Sequence, residues 1–199
     1  MRARVILLAG PSGAGKSRLA ARLGLPVLQL DDYYKDGTDP SLPRRAHGPV
    51  NWDDPGSWDA EAARDGVRAL CESGRAVVPV YDISANAAVG RRPLSVGDSP
   101  CFVAEGIFAA ELVASCRQEG RLAAAICVRR SRWLTLVLRL SRDLREHRKG
   151  PVLLLTRGWW LARREPELVA ALVDQGCAPM TPREAERAIS ALTGRGARA

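Results

Sequence analysis

Gly10-Pro11-Ser12-Gly13-Ala14-Gly15-Lys16-Ser17 stands between an apolar run, Arg4-Val5-Ile6-Leu7-Leu8-Ala9, and a helix-like segment, Ser17-Arg18-Leu19-Ala20-Ala21-Arg22-Leu23. The order is strand, glycine-rich turn, helix, and the turn closes on a lysine and a hydroxyl at the Gly-x-x-x-x-Gly-Lys-Ser spacing of a phosphate-binding loop. Glycines let the backbone curl until successive N–H groups converge on phosphate oxygens, and the helix aims the positive end of its dipole at the same point. Lys16 is placed to reach the β- and γ-phosphates, and Ser17 to offer its hydroxyl to Mg²⁺. A glycine-rich turn that binds nothing has no need of a lysine and a hydroxyl at this spacing. The expectation is a nucleoside triphosphate site, ATP with Mg²⁺, built from Gly10, Ser12, Gly13, Ala14, Gly15, Lys16, Ser17 and Arg18.

Outward from that loop, the 199 residues fit one domain with a layered core, here expected to span 1–199. Hydrophobic residues at 46% and charged residues at 26% are ordinary for a globular protein. The apolar strand starts close to Met1, which leaves no room for a signal peptide, and no apolar run approaches a membrane span. A cytoplasmic protein without a membrane partner is expected. Five cysteines without a Cys-x-x-Cys spacing read as reduced packing residues, Cys101 and Cys127 within apolar runs. The formal charge of +8 is almost all arginine and suits nucleic acid, a membrane surface or an anionic small molecule.

The helix after the loop should stop at Gly24. Pro26-Val27-Leu28-Gln29-Leu30 then runs into Asp31-Asp32-Tyr33-Tyr34-Lys35. Ligands of an open parallel sheet sit beyond the carboxyl ends of its strands, so Asp31 faces the nucleotide crevice as a candidate catalytic base. A helix or turn cap, or an outer-sphere Mg²⁺ partner, is the competing use of an aspartate there. Residues 36–57 lose periodicity and form a long loop, which in a compact domain is functional or disordered. Trp52 and, just beyond the loop, Trp58 either pack onto the core or wall a flat substrate.

Asp59 to Ser73 reads as an amphipathic helix with Ala62, Val67, Leu70 and Cys71 inward and Gly74 as its stop. Ala76 to Asp82, interrupted by Pro79, reads as an edge strand or hairpin arm, and Arg91-Arg92-Pro93 and Gly97-Asp98-Ser99-Pro100 read as turns. Cys101-Phe102-Val103-Ala104-Glu105 is a buried strand ending in an acid, the form of a Walker B element in which Glu105 holds Mg²⁺ directly or through water. Leu122 to Val128 is a further strand. From about Ser131 to His147 a helical pattern sets Arg132, Arg139, Arg142 and Arg145 opposite Trp133, Val137, Leu140 and Leu144. That stripe reads as a solvated face, as a lid whose arginines neutralise the triphosphate, or as a surface for nucleic-acid phosphates. Thr181, Pro182 and Glu184 signal a capped last helix, and 194–199 a frayed tail.

The order of these elements, from about Val5 to Lys149, resembles the uridine kinase family of P-loop kinases, whose relatives include phosphoribulokinase. Residues 10–17 resemble its P-loop, Asp31-Asp32-Tyr33-Tyr34 its Asp-Ser-Phe-Tyr, Asn51-Trp52-Asp53-Asp54-Pro55 its Asn-Phe-Asp-His-Pro, Val78-Pro79-Val80-Tyr81-Asp82 its Pro-x-Tyr-Asp, Glu105-Gly106-Ile107 its Glu-Gly-Ile, and Arg139, Arg142 and Asp143 its Arg-x-x-Arg-Asp. The resemblance implies a P-loop NTPase fold: three-layer α/β/α with a mostly parallel sheet, an arginine lid at about 131–150 and a small β excursion at the substrate site; beyond the resemblance, a C-terminal helical segment is expected at about 151–193. It implies that Asp31 takes the proton of a nucleoside 5′-hydroxyl, that Tyr34, Trp52, Asp53 and Tyr81 hold the nucleoside, and that Arg139 and Arg142 clamp the phosphates. After Tyr81-Asp82 the family carries His-Ser-Arg or His-Thr-Arg. Here the chain reads Ile83-Ser84-Ala85-Asn86, and Asn86, at the histidine's place, offers an amide to a base edge.

The expected protein is thus an ATP-dependent, Mg²⁺-requiring phosphotransferase acting on a uridine- or cytidine-like nucleoside. The partner is a small molecule rather than nucleic acid, and a homo-oligomer is compatible with the sequence. Two rivals are a kinase for another metabolite such as a sugar phosphate, which would call on Arg44 and Arg45, and a nucleotide-binding regulatory protein whose basic face binds nucleic acid.

Overall fold

The computed structural model describes residues 3–11, 13–44, 48–129 and 166–194. The segment read as the arginine lid, with Arg139 and Arg142, lies outside the described residues, as do Ser12, Arg45, residues 151–165 and the tail 195–199.

Strand β1 (Arg4–Ala9) is buried on both faces from Val5 onward, which is why it is apolar from that residue to its end. Val5, Leu7 and Ala9 point into one core and Ile6 and Leu8 into the other, with the period of two that a strand imposes. Helix α1 (Lys16–Leu23) follows the loop and stops at Gly24 in the left-handed conformation, as its sequence predicts. Strand β2 (Val27–Gln29) passes into a 3₁₀ turn over Leu30–Tyr33. Helix α2 (Ala60–Ser73) is N-capped by Asp59, whose side chain accepts the Ala62 N–H, and stops at Gly74. Its inward residues are Ala63, Val67, Leu70 and Cys71. Ala62, expected on that side, is half-buried, one position round the helix from Ala63.

Strands β5 (Cys101–Glu105) and β6 (Leu122–Val128) flank β1, and β2 and β7 (Ala178–Met180) close the edges, giving the order β2-β5-β1-β6-β7 with every pairing parallel. Helices α1 and α5 (Pro182–Leu192) cover one face through Leu19, Ala20, Ala185 and Ile189. Helix α2, α3 (Val113–Gln118) and the helical residues 166–174, α4, cover the other through Val67, Leu70, Val113 and Leu172. This is the three-layer α/β/α arrangement with a parallel sheet that the sequence implies.

Strands β3 (Arg75–Asp82) and β4 (Ala87–Ser95) form a separate two-stranded antiparallel sheet, the expected β excursion. Arg91-Arg92-Pro93 is strand here rather than turn. The reversal occurs earlier, before β4 begins, where Asn86 takes a φ of 49° that asparagine tolerates better than most residues. Pro93 pairs with Val77 on an outer strand, where its missing N–H breaks no ladder. Strand β7 and helix α3 were not legible in the sequence. All five cysteines are buried, and none is in a disulfide.

Candidate nucleotide and acceptor site

The phosphate-binding loop leaves the end of β1 with positive φ at Gly10 (135°), Gly13 (84°) and Gly15 (95°), conformations that exact a steric cost from any other residue. Gly10 also lacks room for a side chain, because a Cβ there would run into the Val128 carbonyl at the end of β6. Gly15 sits at the N-cap of α1 and has no side chain with which to cap the helix. The N-terminus of α1 thus faces the loop, an arrangement of amides and dipole that suits an anion. Lys16 is 8% exposed, and its Nζ donates to the Gly10 carbonyl at 2.8 Å and to the Pro11 carbonyl at 3.3 Å. Ser17 and Arg18 are exposed beside it.

The 3₁₀ turn after β2 aims Asp31 back at this loop. Its Oδ1 accepts the Ile107 N–H at 3.2 Å, and Gly106 lies against it so closely that a Cβ there would stand 2.8 Å from Oδ1. Burial pushes the Asp31 carboxyl up, while the Ile107 amide and the Lys16 charge pull it down. Trp58 holds the turn from below, donating its indole N–H to the Leu30 carbonyl at 2.7 Å. Glu105 ends β5 level with Leu8 of β1 and Gln29 of β2. It is 3% exposed, and among the described residues its Oε1 has no hydrogen-bond partner. A buried carboxylate oxygen left unsatisfied is costly unless a cation or donor meets it, so Glu105 fits the Mg²⁺ role read from the sequence. Among the described residues no group of three or more His, Cys, Asp and Glu could hold a metal.

On the acceptor side Tyr34 is the hub of an aromatic group. Trp52, Tyr81 and Phe108 surround it with ring centroids 5.7, 5.8 and 5.9 Å away. The Tyr34 hydroxyl donates to the Trp52 carbonyl at 3.1 Å. Burial pushes its phenol up, with the charges of Asp31 and Asp53 acting in the same direction. Asp53 is exposed and Trp52 half-buried, whereas Trp58 is a core residue at 3% exposure, the packing reading of that tryptophan. Asn86 lies at the hairpin turn with its side chain exposed, and its carbonyl accepts the Gly37 N–H at 2.7 Å. Sequence reasoning missed Phe108, two residues beyond Glu-Gly-Ile, and Asp32, whose partners come from the distant hairpin. Arg44 is exposed and pairs across the loop with Val50.

Loop sequence, sheet order and strand-end acids together give the P-loop kinase fold. No family model matches the chain. A solved structure assigned as a fructose transport system kinase from Silicibacter sp. TM1040 superposes with a TM-score of 0.60 at 18% identity, covering 85% of each chain. Over 107 residues the sequence is 34% identical to inorganic pyrophosphatase TTM1 of Arabidopsis thaliana, which is 51% of this chain and 15% of that protein. Over 113 residues it is 27% identical to the uridine kinase of Ureaplasma parvum, 53% of each. The chain thus spans between 15% and 53% of the length of the curated relatives it matches. The likeness to uridine kinase read from the motifs is found again in the last of these matches.

Proposed function

We propose that the protein is an ATP-dependent phosphotransferase that moves the γ-phosphoryl group to the 5′-hydroxyl of a uridine- or cytidine-like nucleoside. The observation that carries this reading is the convergence of the loop lysine and Asp31: the carboxylate, solvent-accessible on its turn, feels the Lys16 charge and is oriented by the Ile107 amide. Phosphoryl transfer asks little else of a protein than positioning and charge, and Asp31 supplies the acceptor's base while Lys16 and the loop amides hold the triphosphate. Ser17 and Glu105 are the residues that would hold Mg²⁺, which neutralises charge on the transferred group. Tyr34, Trp52 and Tyr81 form an aromatic wall next to Asp31, the chemistry that a flat base uses, and Asp53 stands exposed at its rim. Arg139 and Arg142 complete the proposal as phosphate clamps on sequence grounds alone, and Asn86 as a base-edge contact.

The test is ATP consumption with Mg²⁺ across nucleosides, sugar phosphates and pyrophosphate, with Lys16→Ala as the blank. Turnover on uridine or cytidine that disappears in the blank is the expected result. Turnover on a sugar phosphate alone would move the acceptor to the sugar-phosphate rival, and ATP binding with no turnover on any member would overturn the nucleoside assignment.

A further inference from the structure

The hairpin that carries Tyr81 is hydrogen-bonded to no strand of the main sheet. Its base is packed, with Val78 buried among core residues. Its middle is not, because a cavity of about 440 Å³ lies between it and α2, walled by Ala62, Gly66 and Ala69 on the helix and Ala76, Val77 and Pro79 on β3. A sheet that spans a cavity loses the dispersion contacts that would otherwise fix it there. Beside the ring contact of Tyr81 with Tyr34, polar ties hold its outer half to the core, and they lead to one short stretch, residues 32–37. Asp32 Oδ1 accepts the Tyr81 N–H at 3.3 Å, and Oδ2 stands 3.9 Å from the Arg92 guanidinium. The Tyr81 hydroxyl donates to the Lys35 carbonyl at 3.3 Å, and the Gly37 N–H donates to the Asn86 carbonyl at 2.7 Å.

We propose that Asp32 is a positioning residue: by holding the Tyr81 backbone and facing Arg92, it locks the hairpin to the turn that carries Asp31 and so sets the acceptor wall against the base. This rests on the phosphotransferase reading for its kinetic consequence, not for its structural one. Where the uridine kinase pattern has serine, this chain has an aspartate and a facing arginine, Arg92, which pairs with Val78 in the hairpin register. A serine would keep a hydrogen-bond acceptor for Tyr81 but give Arg92 no charge. The groups that face Asp32 are Arg92 and the Tyr81 amide, which favour its charged form, and Asp31, which with burial opposes it. Asp32 touches no reacting atom in this arrangement; it acts through Tyr81 and through the backbone of its neighbour.

The experiment compares Asp32→Ala with Asp32→Asn, which keeps an acceptor oxygen at the same place. Two readouts are taken: steady-state kinetics with ATP and nucleoside, and amide hydrogen exchange of the hairpin. Asp32→Ala is expected to raise the nucleoside KM and lower kcat, together about tenfold in kcat/KM, with the ATP KM unchanged, and to speed exchange at Tyr81 by a similar factor while α2 keeps its protection. Asp32→Asn is expected to recover most of both. Unchanged acceptor kinetics in Asp32→Ala, or an Asn variant no better than the Ala variant, overturns the assignment. If the wild-type protein phosphorylates no nucleoside, the activity reading has failed and exchange alone decides: a loosened hairpin supports the tie and an unchanged one removes it. If Asp32→Ala also loses protection in α2, Asp32→Ser replaces it, and a hairpin as loose as the rest of the molecule then counts against a specific role.

Discussion

Burial raises the Asp31 carboxyl above its ordinary value of 3.8 against the opposing pull of the Ile107 amide and Lys16. A carboxyl whose value is raised in the folded state binds its proton more tightly there than in the unfolded chain. Its contribution to stability is therefore present at low pH and is lost as pH rises from 3.8 through the folded value. Above that point the charged carboxylate opposes folding, and the charge that costs stability is the one a base needs. Asp31→Asn is accordingly expected to raise the melting temperature at pH 7, with the difference vanishing in acid, while kcat falls about 10²- to 10⁴-fold. Thermal melts at two pH values, beside turnover, check both halves. Gly106 gives a second test at the same place, since a Cβ there would stand 2.8 Å from Asp31 Oδ1 and from Leu30 Cβ. Gly106→Ala should cost about 1–3 kcal/mol in urea unfolding and lower kcat while ATP binding persists. Asp31 was legible because strand-end geometry is local. Asp32 was not, because its partner amide lies 49 residues away in the hairpin.

Elements whose signals are carried by adjacent residues were read correctly. Thr181 accepts the Glu184 N–H at 3.3 Å and Glu184 returns the bond to the Thr181 N–H at 2.7 Å, the capping box that the Thr-Pro-x-Glu sequence predicts. Thr181→Ala is expected to remove about 1 kcal/mol of stability, seen as a lower urea midpoint at unchanged slope. Hydrogen-bonded arrangements that depend on a distant partner were not read. Strand β7 is three residues long and contains Pro179, so nothing in it looks like a strand until β6 supplies the parallel edge it joins. Arg91-Arg92-Pro93 carries turn-forming residues, yet pairing with Val77, Val78 and Pro79 makes it strand. Trp58 differs from Trp52 for the same reason: its indole finds the Leu30 carbonyl, a contact made by the fold.

At the scale of the molecule the parallel sheet separates two apolar layers, and the cysteines sample both. Cys71, Cys116, Cys127 and Cys177 lie in the layer under α2, α3 and α4, and Cys101 in the layer under α1 and α5. Burial pushes the Cys71 and Cys177 thiols up to about 11 and raises those of Cys101 and Cys116. A thiol that is both inaccessible and held neutral does not react, so the folded protein should resist an aromatic disulfide reagent at pH 8 and release five equivalents only when unfolded. Because β1 and β5 contribute to both layers, neither can open without breaking strands that the other needs. Cys71 and Cys101 should therefore become reactive at one denaturant midpoint in a two-state transition. Labelling at increasing urea, read cysteine by cysteine after proteolysis, measures this. Two separated midpoints would mean instead that one helical layer detaches as its own cooperative unit while the phosphate loop and its sheet stay folded.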